Sequence, residues 1–147
     1  YINLPLISHI TDNLYVGGHA PVNLGDFFSH VFSLYYWEKY DVGSETIVRE
    51  WRMYDSRHGV EVQDMDENPL TIEEVAQEVV DALDAGGNVL VHCQAGINRS
   101  NLTAALALMN WKGLTATEAI ALLREKRSPM VLANATFEKY LRALDQS

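Results

Sequence analysis

Cysteine is almost missing from this chain, with one residue in 147. A single thiol can form no intrachain disulfide and no cysteine-based zinc cage. Basic residues are scarce as well: 11 lysines and arginines stand against 20 aspartates and glutamates, a net charge of −9. A phosphate backbone asks for a positive face, so nucleic acid is disfavoured as a partner. The same deficit argues against an anionic membrane surface. No apolar run approaches the roughly 18 residues of a membrane span. Repeats, low-complexity tracts and a recognisable signal peptide are missing too. The expected compartment is the reducing cytoplasm. What remains is 48% hydrophobic and 21% charged, the composition of a folded globular protein, expected as one domain over residues 1–147. Nothing in the sequence bears on oligomeric state.

Turn and periodicity signals give a coarse order of elements. Ile10 to Gly18 reads as a turn, a short strand and a Gly-Gly break. Ala20 to Phe28 is expected as a short helix and Val31 to Leu34 as a buried strand. Glu45 to Tyr54 alternates, with Ile47, Trp51 and Met53 on one face, and is expected as a strand. Asp55 to Pro69 reads as a polar loop. Thr71 and Glu74 have capping-box spacing, so a helix starts there, carries Val75, Val79 and Leu83 on its period, and ends at Gly86-Gly87. Val89 to Val91 is a run of β-formers expected as a central strand. Leu102, Ala105, Leu106 and Met109 share one face of a helix closed by Gly113. Thr115 and Glu118 repeat the capping box before a helix ending near Lys126. A last helix is expected from about Ala135 to Leu144. Strands among helices, with a strand feeding a helix directly, predict an α/β fold.

The chemistry concentrates between the central strand and the following helix, in His92-Cys93-Gln94-Ala95-Gly96-Ile97-Asn98-Arg99-Ser100. A loop in that position can curl its backbone N–H groups around an anion, with the helix N-terminus aimed at the same point. Gly96 allows the turn and the close approach. The spacing sets a thiol below a tetrahedral oxyanion and a planar guanidinium fork beside it. Ser100 is within reach of the sulfur. Helix N-terminus, nearby cation and hydroxyl each favour thiolate over thiol. The expected reaction is attack by Cys93 on a phosphate ester through a phosphocysteine, with Arg99 and the amides of Gln94, Ala95, Gly96, Ile97 and Asn98 on the equatorial oxygens. A cysteine protease does not fit, because His92 adjoins Cys93 in an extended strand and points to the opposite face.

His-Cys-x-x-Gly-x-x-Arg-Ser resembles the signature loop of the cysteine-dependent protein tyrosine phosphatases. Val-Leu-Val-His-Cys and the Gln-Ala-Gly pattern resemble their dual-specificity branch. Leu14-Tyr15-Val16-Gly17 is similar to the first strand of that branch. Asn134-Ala135-Thr136-Phe137, after Ser128-Pro129, is similar to its Asn-x-x-Phe near the last helix. The likeness runs from about residue 10 to 144. Rhodanese-like loops are usually one residue shorter between cysteine and arginine, and low-molecular-weight tyrosine phosphatases carry the loop near the N-terminus. The resemblance implies a three-layer α/β fold with a central mixed, mostly parallel sheet flanked by helices. It implies a phosphorylated protein or peptide as substrate and no cofactor or metal, since Arg99 and the loop amides take the metal's role. It also implies loop support from Asn134, which read singly is equally a helix cap. His92 is expected to orient the loop from inside the fold without transferring protons.

The resemblance further implies an aspartate general acid upstream, commonly about thirty residues before the cysteine. Spacing favours Asp64. Topology favours Asp55, because the family's acid usually follows a strand end and Met53-Tyr54-Asp55 ends a predicted strand. Asp55 is placed first, Asp64 second and Asp66 third. The uncharged Gln94, Ala95, Ile97 and Asn98 disfavour a phosphoinositide substrate, since relatives acting on those lipids tend to carry basic residues there. Asn98-Arg99 also resembles the loop of RNA 5′-phosphatases, an alternative that the net charge opposes. A phospho-binding module without catalysis is a second alternative, opposed by an intact Cys93 and Arg99. Arg124, Lys126 and Arg127 read as favourable charge at a helix C-terminus, or as contacts for a phosphopeptide. His9, His19, His30 and His58 are too scattered for a metal site. Trp37, Trp51 and Trp111 read as packing residues.

Overall fold

The computed structural model describes residues 4–20, 23–35 and 41–145. Trp37 and two positions of the expected 20–28 helix lie outside them. The main sheet has five strands: β1 (Ile7–Thr11), β2 (Leu14–Gly17), β3 (His30–Ser33), β4 (Ile47–Glu50) and, later in the chain, β8 (Val89–His92). Their order is β1-β2-β8-β3-β4. The β1–β2 hairpin is antiparallel, and the other three pairings are parallel. The mixed, mostly parallel sheet expected from the sequence is therefore the one the chain builds.

β8 sits in the middle because its four residues, Val89 to His92, are all buried. That is the profile of a strand covered on both faces. Alternation sends Val89 and Val91 to one face, with Leu14, Val16 and Phe32 from the neighbouring strands. Leu90 and Val31 go to the other, where Ala20, Phe28, Leu24 and Val42 cover them. Ala20 to Phe28 does not form the expected helix. Its described residues make turns and one bridge, from Asn23 to Asp41, with Gly25 at φ +58°.

All four helices send their buried residues to the first face. α1 (Ile72–Asp84) starts at Thr71 with the expected capping box, Glu74 N–H donating to Thr71 Oγ1 at 3.1 Å and Thr71 N–H to Glu74 Oε1 at 3.2 Å. α3 (Ala116–Lys126) repeats the device with Thr115 and Glu118. α2 (Arg99–Lys112) is buried at every residue from Arg99 to Leu108, not on one face only. Its alanines let α1, α3 and α4 (Ala135–Leu144) approach it from different sides.

The expected strand over 45–54 is split. β4 ends at Glu50, the chain turns at buried Trp51, and β5 (Arg52–Met53) leaves for a second sheet. That sheet pairs β5 with β6 (Val62–Gln63) and β6 with β7 (Pro69–Leu70), all antiparallel. Ile47 is exposed on the edge strand, whereas Trp51 and Met53 are buried. The segment read as a polar loop thus contains β6 and the first residue of β7, and the pairing of β6 with β5 and with β7 fixes where the chain leaves Met53.

Candidate active site

Residues 93–98 join the C-terminal end of central β8 to α2, where open α/β sheets place their ligands. The loop's carbonyls are held from outside. His19 N–H donates to Gln94 O at 2.8 Å and Leu132 N–H to Ile97 O at 2.9 Å. Arg127 donates from Nη2 to Ala95 O at 3.2 Å and from Nε to Gly96 O at 2.6 Å. Asn101 Nδ2 reaches Gly96 O at 2.8 Å and Ile97 O at 3.2 Å. A trans peptide points its N–H away from its C=O. With the carbonyls turned outward, the N–H groups of Ala95 to Asn98 turn into the loop. Gly96 adopts φ +70°, and a Cβ there would stand 2.5 Å from the Gly17 carbonyl carbon and 2.6 Å from the Gly18 nitrogen. Gly18 is packed as tightly, its virtual Cβ 2.8 Å from Ala95 O. The Gly-Gly break after β2 therefore lets that strand end lie directly on the loop.

Cys93 lies at the base of this loop, 2% exposed, with Sγ 3.3 Å from Ser100 Oγ. Arg99 is 7% exposed. Its Nη1 donates to Met53 O at 2.8 Å, and the Tyr35 ring lies 5.7 Å from its guanidinium carbon. Its Nε is buried and finds no protein partner among the described residues. A buried guanidinium N–H left open in this way is suited to an oxyanion. His92 is fully buried, with Nδ1 3.4 Å from Cys93 O. Burial pulls its pKa down to about 3, so the imidazole is neutral at physiological pH.

The three acid candidates separate. Asp55 reaches the loop: Asn98 Nδ2 donates to its Oδ2 at 2.8 Å and Asn134 Nδ2 to its Oδ1 at 2.7 Å. Asn98 Oδ1 in turn accepts from Asn134 N–H at 2.9 Å. Asn134 also caps α4, its Oδ1 accepting from the N–H groups of Thr136 and Phe137. Asn134 is thus the helix cap expected as one alternative, and its N–H also bonds the loop residue Asn98. Asp64 instead closes its own exposed turn, accepting from Asp66 N–H and Asn68 N–H at 2.9 Å each. The Asn68 backbone N–H is the main cause that holds its carboxyl below the usual range. Asp66 shares that turn. Neither has a hydrogen bond to residues 93–99 among the described residues.

Two loop supports were missed from the sequence. Arg127, read there as a helix-end or peptide-facing charge, is 6% exposed and also donates from Nη1 to Pro5 O and Ser8 Oγ, both at 3.0 Å. Asn101 had no distinguishing signal. For Arg127 the one hint is its place just before Ser128-Pro129, where the chain turns back to the loop. Arg124 is partly exposed and is committed within the fold: it donates to Val131 O and to Glu138. Beside the loop, a cavity of about 600 Å³ is lined by Asp55, Arg57, Asn98, Asn134 and Thr136, with Ala133 and Ala135.

Residues 45–147 match the family model described as Dual specificity phosphatase, catalytic domain. Dual specificity protein phosphatase 1 of Arabidopsis thaliana is 34% identical over 90 residues, 58% of this chain and 45% of that protein. Human dual specificity protein phosphatase 5 is 42% identical over 65 residues, 42% of this chain and 17% of that protein. In these matches the chain spans less than half the length of the relative. Among solved structures, human DUSP28 superposes with a TM-score of 0.77 at 16% identity, covering 95% of each chain. The human tyrosine phosphatase-like serine/threonine/tyrosine-interacting protein gives 0.71 at 20% identity, again over 95% of each. At such identities these structures speak for the fold alone.

Proposed function

The chain belongs to the dual specificity phosphatase catalytic-domain family, and on that premise we propose that it hydrolyses phosphate monoesters on proteins, phosphotyrosine foremost and phosphoserine or phosphothreonine besides. The observation that carries this reading is the pairing at one loop of Cys93, 3.3 Å from Ser100 Oγ, with a buried Arg99 whose Nε is open. The Cys93 thiolate attacks phosphorus, an S–P bond forms and the bond to the leaving oxygen breaks. Asp55 gives that oxygen its proton. Water then attacks the phosphocysteine, Asp55 takes the water's proton, and inorganic phosphate leaves. The amides of Ala95 to Asn98 and the Arg99 guanidinium stabilise the three equatorial oxygens in both steps. Ser100 donates to the sulfur when it departs as thiolate. Asn98 and Asn134 hold Asp55 beside the loop through its two oxygens.

The test is a substrate panel on wild type and Cys93→Ser: a phosphotyrosine peptide, phosphoserine and phosphothreonine peptides, and 5′-triphosphate RNA. The expected result is turnover of the peptides, phosphotyrosine fastest, and none by Cys93→Ser. Preferential turnover of RNA would move the reading to an RNA 5′-phosphatase. Tight peptide binding without turnover by wild type would move it to a binding module.

A further inference from the structure

The cavity beside the loop shares two walls with it, since Asp55 and the loop residue Asn98 line it. Its polar walls are largely committed to one another. Asn98 and Asn134 spend their amides on Asp55 and on α4. Thr136 Oγ1 donates to Arg57 O at 2.8 Å, and Asn134 Nδ2 also donates to Ser56 O at 2.9 Å. These last two bonds pin the backbone of residues 56–57 to the start of α4. They fix the Arg57 Cα at the cavity wall, while its side chain stays exposed.

The Arg57 guanidinium is the uncommitted group. Among the described residues, every other arginine has a partner. Arg49 pairs with Glu78, Arg52 with Glu67, and Arg124 and Arg142 with Glu138. Arg99 binds Met53 O, and Arg127 binds the loop carbonyls. In a chain of net charge −9, an exposed guanidinium with neither a carboxylate nor a carbonyl partner among the described residues stands out. It lines a cavity that shares Asp55 and Asn98 with the loop, and the small Ala133 and Ala135 line the same cavity. A guanidinium is matched by a carboxylate or a phosphate.

We infer that this cavity is a subsite for a second anionic group on the phosphopeptide, an acidic side chain or a second phosphate, held by Arg57. The inference rests on the phosphatase reading and deepens it. The subsite selects peptides carrying negative charge next to the phosphorylated residue.

The experiment uses phosphotyrosine peptides identical except at the residues just before and just after the phosphotyrosine, which are alanine, glutamate or phosphoserine. The readout is the ratio of kcat/KM for a charged peptide to that for the alanine peptide on the same enzyme, so a general loss of activity cancels. Wild type should favour the glutamate peptide by about fivefold, the scale of one exposed ion pair, and added salt should shrink the preference. The ratio should fall to about one in Arg57→Met and below one in Arg57→Glu, with part retained in Arg57→Lys. Preference for glutamate alone or for phosphoserine alone supports the subsite and identifies the anion it takes. A wild-type ratio of one for both, or a preference that survives Arg57→Met, overturns it. Hydrolysis of para-nitrophenyl phosphate by wild type tests the phosphatase reading separately. If that fails, the same ratios measured as binding affinities decide the subsite on their own.

Discussion

Asp55 offers both carboxylate oxygens to side-chain amides, and those amides come from the signature loop and from the cap of α4. Positioning of this kind matters because proton transfer to the leaving group contributes roughly 10²–10⁴ to the rate. Asp55→Asn is therefore expected to slow a poor leaving group such as an alkyl phosphate by about a hundredfold or more, while para-nitrophenyl phosphate suffers far less. Asp64→Asn should leave both rates near wild type, because Asp64 is spent on its own turn. A leaving-group series on the two variants checks this, and the reverse pattern would move the acid to Asp64. Asn98→Ala should mimic part of the Asp55→Asn pattern, since it removes one of the two amides.

The loop between β8 and α2 depends on elements that contribute no reacting atom. Arg127, at the end of α3, holds the carbonyls of Ala95 and Gly96 while anchoring Pro5 and Ser8. Arg127→Met should cost about 1–3 kcal/mol of stability, by leaving buried acceptors unpaired, and lower kcat by about a hundredfold through loss of loop geometry. Urea unfolding and steady-state rates measure the two effects. This is also where the sequence stopped being legible. The capping boxes at Thr71 and Thr115 are local devices, written within four residues, and could be read directly. So could β8, as β-formers running into a motif whose spacing is its chemistry. The break at Trp51 and the pairing of β5, β6 and β7 depend on two-residue contacts between distant segments, which no periodicity encodes. The turns over 23–28 follow from covering Leu90 and Val31, a tertiary demand. Asp55 ranks ahead of Asp64 in the sequence only by its strand end, against the spacing, and the fold shows that it is Asp55 whose carboxylate meets Asn98.

At the scale of the whole molecule, buried His92 ties the stability of the fold to pH. Its folded pKa is about 3, against 6.5 for a free imidazole. Between those values the unfolded chain binds more protons than the folded one, so stability rises with pH. The contribution is complete above about pH 6.5 and is lost as pH falls towards 3. From pH 7 to 4.5 the loss is on the order of 3 kcal/mol. Chemical unfolding of wild type should show this decline, and His92→Gln should show a flatter one. The single cysteine makes the chemistry equally readable on the intact chain, because a phosphate bound to sulfur has one place to be. The most direct measurement is rapid acid quenching during turnover, followed by mass analysis of the intact protein and of the peptide holding residue 93. The account predicts a phosphate adduct on Cys93 that forms and decays with the kinetics of turnover and is missing in Cys93→Ser. Phosphate release at full rate with no adduct at residue 93, or turnover by Cys93→Ser, would contradict it.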